Sequence, residues 1–163
     1  MERRQHETWS ITKETVSSET DVVASHHYLA SDVGAEVLRC GGNAVDAAVA
    51  ASLAIGAVEP WMSGLGGGGF MMVYLASEDK TFAVDFGMVA PGDLNPEDYP
   101  LTGGNASDLF GWPEVVENRN LLGYPSIAVP GYVAGISTAA KKFGSFSWEN
   151  LITPAIKLSE SGM

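Results

Sequence analysis

The chain holds a single cysteine, Cys40, among 163 residues. One thiol cannot close an internal disulfide, so nothing supports a stapled secreted scaffold, and Cys40 reads as a small buried hydrophobe. Basic residues are also scarce: 9 Lys and Arg face 20 Asp and Glu, giving a formal net charge of -11 and a pI near 4.5. Such a surface repels polyanions, so neither a nucleic-acid partner nor an anionic lipid surface is expected. Long apolar runs are missing as well. The uncharged stretch in the alanine-rich part, Ala47 to Val58, is bounded by Asp46 and Glu59 and falls well short of the roughly 18 residues that point to a membrane span. Met1 to Thr20 lacks the apolar centre of a secretory signal. It reads as a loosely ordered polar leader, residues 1–20, and the expected compartment is the cytoplasm.

Several catalytic signatures are absent too. No G-x-S-x-G elbow, H-E-x-x-H pair or C-x-x-C pair occurs, so serine-hydrolase, zinc-protease and zinc-module readings lack their carriers. Residues 105–107 form a glycosylation sequon that is more simply a turn. Paired acids such as Glu97 and Asp98 lie in polar turn text and read as solvated. No metal and no organic cofactor is implied.

What is present is enough to fold. Hydrophobic residues make up 45% of a chain of single-domain length. Val22 to Ala24 read as a short opening strand, and His26 and His27, adjacent on it, would point to opposite faces and make a poor chelating pair. Ser31 is placed to cap a short helix through Arg39 that ends at Gly41. Asn43, with Asp46 three residues on, predicts a capping box for a helix over Ala44–Ala57. That helix is apolar nearly all round and therefore buried, ending at Glu59 and Pro60.

Residues 70–75 and 81–86 form a hairpin pattern around the polar turn 78–80. Residues 87–123, rich in Gly, Pro, Asn and Asp with isolated aromatics, read as a long ordered excursion. Two helices close the pattern, one from near Pro130 to Gly144 and one capped by Ser147, with Pro154 inside it.

The cluster Ser63–Gly69, SGLGGGG, formally satisfies the dinucleotide pattern G-x-G-x-x-G at Gly64, Gly66 and Gly69, with Asp85 downstream. That fingerprint needs a strand before it and a helix after it, because the helix N-terminus holds the pyrophosphate. Here the order is reversed. The glycines therefore read as permitting tight turns and close backbone contact.

Four blocks taken together carry a resemblance: LASDVGAEVLRCGGNAVDAAVAA at 29–51, VEPWMSGLGGGGFMMVY at 58–74, Asp85 with Phe86, and VPGYVAG at 129–135. They resemble the γ-glutamyltransferase family of N-terminal-nucleophile hydrolases, over roughly Val22 to Gly162. The resemblance implies an α+β chain, a segment of a four-layer αββα sandwich, with residues 21–163 as the N-terminal portion of a large subunit. It also implies a precursor that cuts itself in two and exposes a nucleophilic threonine, whose own amine serves as base. None of Thr81, Thr102, Thr138 or Thr153 lies in such a cleavage motif. The nucleophile is expected downstream of Met163, the isolated chain is expected to be inactive, and its partners are the remaining large-subunit sequence and the small subunit.

In γ-glutamyl enzymes the Asp-Phe pair is followed by an arginine that grips the substrate α-carboxylate, in an R-E-x-A-P context. This chain reads Asp85, Phe86, Gly87, Met88, Val89, Ala90, Pro91, so Gly87 stands where that arginine belongs. The resemblance thus singles out Asp85, Gly87 and Met88 as substrate-binding candidates, each also accountable as hairpin end and turn. It favours the branch that hydrolyses other small amides, such as oxamate amidohydrolase or the acylases. A true transpeptidase or glutathione hydrolase and a non-catalytic remnant or binding module are the alternatives.

Overall fold

The computed structural model describes residues 15–105 and 109–162. Helix α1 spans Tyr28–Arg39 and α2 spans Ala44–Val58. Strands β1 (Phe70–Leu75) and β2 (Lys80–Asp85) pair antiparallel, with Phe70 opposite Asp85 and Leu75 opposite Lys80. A second ribbon joins β3 (Leu101–Asn105) to β4 (Pro113–Val115). Helices α3 (Tyr132–Phe143) and α4 (Trp148–Ser161) follow. The class is α+β, as expected.

Helix α2 is the centre of the packing because its sequence leaves it no polar face. Val45, Ala47, Val49, Ala50, Ala51, Leu53, Ala54 and Val58 are all buried. Its neighbours contribute Val37 from α1, Val73 from β1, Ile136 and Ala139 from α3, and Leu151 and Ala155 from α4. Alanine and glycine let these helices approach closely. A methyl on Gly34 of α1 would lie 3.3 Å from the Ala47 carbonyl oxygen. The hairpin turns Val73 inward and leaves Phe70, Met72 and Tyr74 exposed on its other face, as the two-residue period of a strand requires.

The capping box forms as read: the Asn43 side chain accepts from the Val45 and Asp46 N–H groups, and the Asp46 carboxylate accepts from the Asn43 N–H. Pro154 sits in the second turn of α4, which continues through it to Ser161. The long excursion is closed at its base by reciprocal bonds between Val89 and Val129, each N–H donating to the other's carbonyl at 3.2 and 2.8 Å. Within it, the Tyr99 hydroxyl donates to the Pro125 carbonyl at 2.7 Å.

Three local expectations are corrected. Val22–Ala24 is not a strand: Val23 packs over Gly34 of α1, and a methyl there would come within 2.8 Å of Val23 Cγ1. Helix α1 starts four residues earlier than Ser31 predicts, because His27 Nδ1 accepts the Leu29 N–H and caps it. The Ser31 hydroxyl instead pairs with that of Ser25 at 2.8 Å. Cys40 is exposed rather than buried. It follows the last turn of α1, where its thiol donates to Glu36 Oε1 at 3.2 Å. Of the expected leader, residues 1–14 lie outside the described residues, and 15–20 are exposed.

Candidate functional site

The three substrate-binding candidates lie together at the turn leaving β2. Asp85 is the last residue of that strand and is exposed. Its Oδ1 accepts the Gly87 N–H at 3.0 Å, tightening the turn. Met88 follows, 57% exposed. Gly87 has no positive φ. A Cβ built on it would meet Asp85 Oδ1 at 3.4 Å and Phe70 Cζ at 3.6 Å. Those are ordinary contacts, so the backbone here does not require glycine.

Between Asp85 and Gly87, Phe86 points the other way, into the fold. Its N–H donates to the Gly69 carbonyl at 3.0 Å, and its own carbonyl accepts the Gly69 N–H at 3.2 Å. The glycine cluster thus extends the hairpin by one pair instead of cradling a phosphate. Helix α2 precedes the glycines and β1 follows them, which is the reverse of a dinucleotide site. The Tyr132 N–H donates to the Gly67 carbonyl at 3.0 Å, fastening the start of α3 to the same loop.

Beside this turn, a pocket of about 420 Å³ lies under the glycine loop, lined in part by Ser52, Ser63, Gly66, Gly68 and Tyr132. The Tyr132 hydroxyl donates to Ser52 Oγ at 3.0 Å, and Ser52 Oγ donates to the Val49 carbonyl at 3.0 Å. Burial pushes the Tyr132 phenol above its ordinary pKa, partly offset by the Ser52 bond. These hydroxyls are bonded to one another and to the α2 backbone, and so tie the start of α3 to α2. Among the described residues no group of three His, Cys, Asp or Glu is arranged to hold a metal. His26 Nδ1 lies 3.7 Å from Glu59 Oε2, with the His26 side chain exposed.

A residue that sequence reasoning placed only as a cap does much more. Asp46 is fully buried and accepts from the Ser145 N–H, the Ser145 hydroxyl at 2.6 Å and the Phe146 N–H, besides Asn43. The Asn43 amide in turn donates to the Phe143 carbonyl. Burial alone would push the Asp46 carboxyl up, but the donors from Ser145, Asn43 and Phe146 outweigh it and hold the carboxyl below its ordinary pKa. The local pattern N-x-x-D gave the first partner; the others come from the connection between α3 and α4, about a hundred residues on.

The family model described as gamma-glutamyltranspeptidase matches residues 30–163. Among curated proteins, the chain is 41% identical over 141 residues to a glutathione hydrolase proenzyme of Bacillus subtilis, covering 86% of this chain and 23% of that protein. It is 36% identical over 151 residues to the acylase ACY 1 proenzyme of a Pseudomonas species, covering 92% of this chain and 26% of that protein. The crystal structure of Helicobacter pylori gamma-glutamyltranspeptidase superposes with a TM-score of 0.76 at 37% identity, covering 92% of this chain and 40% of that one. The chain therefore spans about a quarter of the length of the curated relatives, which are proenzymes. Its helices and hairpin are a segment of the N-terminal-nucleophile hydrolase fold of those structures. The chain belongs to the gamma-glutamyltranspeptidase family.

Proposed function

We propose that this chain is the N-terminal portion, residues 21–163, of the large subunit of a self-cleaving amidohydrolase, and that Asp85, Gly87 and Met88 contact the acyl part of its substrate. The nucleophile is a threonine beyond Met163 that becomes N-terminal on cleavage. It attacks the amide carbon, the amine leaves with a proton, and water releases the acid from the acyl-enzyme. The rest of the large subunit and the small subunit complete the site. The chain alone then has no activity.

The observation that carries the substrate preference is Gly87. The turn has room for a side chain there, yet carries none, and the charge beside it is the Asp85 carboxylate. A carboxylate-bearing acyl group gains no guanidinium fork at this position and meets a like charge. A small amide without that group suits the turn better. A true glutathione hydrolase is the second reading, favoured by the 41% identity to a proenzyme of that activity.

The test is expression of the open reading frame containing this chain. Intact-mass analysis that finds two subunits, the smaller beginning with threonine, supports the self-cleaving enzyme. A single uncut chain without such a threonine supports a non-catalytic remnant.

A further inference from the structure

We propose that Phe86 is the positioning residue of the Asp85–Met88 turn, and that Gly68, Gly69, Gly131 and Gly135 are glycine because they make room for it. This rests on the substrate-facing role proposed for that turn. The four glycines come from two separate stretches, the loop before β1 and the start of α3. A methyl on Gly68 would lie 2.7 Å from the Phe86 carbonyl oxygen, and one on Gly69 2.9 Å from ring atom Cε2. A methyl on Gly131 would strike the Phe86 carbonyl, and one on Gly135 would strike Cβ, Cγ and Cδ1 of Phe86.

None of the four has a positive φ, so backbone conformation does not explain them. Close approach does. The Tyr132 ring meets Phe86 edge-on at 6.4 Å between centroids, closing the remaining side. With its ring wedged and both its main-chain groups bonded to Gly69, Phe86 has no freedom to shift. Asp85 and Gly87 are its chain neighbours, so the exposed carboxylate and the path of the chain toward Met88 are fixed from behind by a ring that touches no substrate. Exposed turns ordinarily give binding groups poor registration; a half-buried ring packed on the core at their centre reduces that defect.

The test uses the full proenzyme containing this chain, with Phe86→Leu, Gly135→Ala and the pair combined, beside Asp85→Asn and Met88→Ala. For Phe86→Leu the expected result is a KM raised roughly tenfold with kcat within about twofold, because the substitution leaves the proposed nucleophile itself unaltered. Gly135→Ala should raise KM similarly, and because leucine keeps the Cβ and Cγ that the new methyl strikes, the pair should be no less impaired than either single variant. A Phe86→Leu enzyme with lowered melting temperature but unchanged KM overturns the proposal while leaving the site reading intact. Unchanged KM in Asp85→Asn and Met88→Ala overturns the site reading instead. Should the Phe86 and Gly135 variants fail to fold, amide exchange of the unaltered protein still decides. The Phe86 and Gly87 amides should be protected at least a hundredfold over Gly92; exchange as fast as Gly92 contradicts a clamped turn.

Discussion

The Ser145 hydroxyl donates to Asp46 Oδ2 at 2.6 Å, and the Ser145 N–H reaches both oxygens of the same carboxylate, at 3.0 and 3.1 Å, across 99 residues of sequence. One buried side chain thereby caps α2 and receives the connection between α3 and α4. Replacing Asp46 by alanine strands the Asn43, Ser145 and Phe146 donors in the interior and should cost about 3 kcal/mol or more. Ser145→Ala should cost about 1 kcal/mol, since the main-chain bond survives. Urea unfolding checks both, with the midpoint falling and the m-value unchanged.

The same carboxylate gives stability a defined pH dependence. Its folded pKa lies below the ordinary value because the Ser145, Asn43 and Phe146 donors outweigh its burial. A depressed folded pKa contributes stability that is complete above the unfolded value, about 3.9, and is lost as pH falls through the folded value. The advantage of the native protein over Asp46→Asn should therefore be full at pH 6 and shrink below about pH 4. An advantage that grows on acidification would contradict this assignment. Urea midpoints of the two proteins measured in parallel decide it.

Much of this was legible in the sequence where the signal is local. Asn43 and Asp46 announced the start of α2, its apolar circumference announced burial, and the continuous apolar run 70–75 with the return 81–86 across a polar turn announced the hairpin, though not its register. The upstream start of α1 was not legible, since a histidine cap competes with the stronger signal of Ser31. The β3–β4 ribbon was hidden because Thr102, Gly103 and Gly104 carry no apolar alternation, and Gly103 takes a φ of 87°. The cradle of Phe86 was invisible for another reason: its four glycines lie in two stretches whose proximity exists only after folding. The candidate turn at Asp85–Met88 was found through family resemblance, and chemistry alone would have left it a hairpin end.

Gly87→Arg should fold as well as the native protein, within about 0.5 kcal/mol, because a Cβ there makes only ordinary contacts and its φ is ordinary. In the full proenzyme the new guanidinium should improve turnover of a γ-glutamyl anilide at least tenfold in kcat/KM, the worth of one well-placed charged bond. Loss of self-cleavage in this variant would show that the turn has a structural requirement the geometry does not reveal.

Leu151 is fully buried against the α2 core. Truncation to alanine should cost about 2–5 kcal/mol, as for other large-to-small core changes. Calorimetry of the isolated chain reads this as a lowered melting temperature.

The outer face of the hairpin exposes Phe70, Met72 and Tyr74, at 76%, 68% and 61%. An apolar stripe on a two-stranded sheet with unpaired edges favours self-association of the isolated chain. Sedimentation velocity should show species larger than a monomer as concentration rises, reduced in Met72→Glu. A monomer with cooperative unfolding at high temperature would show that the chain is sufficient by itself.

The central claim is tested most directly by kcat/KM of the purified, self-cleaved full-length enzyme on a short-chain acyl anilide that carries no carboxylate and on a γ-glutamyl anilide, side by side. A Gly87 turn that offers no grip for an α-carboxylate predicts preferential turnover of the small amide. Rapid turnover of the γ-glutamyl anilide with no activity on the carboxylate-free anilide would contradict it and place this protein among the glutathione hydrolases.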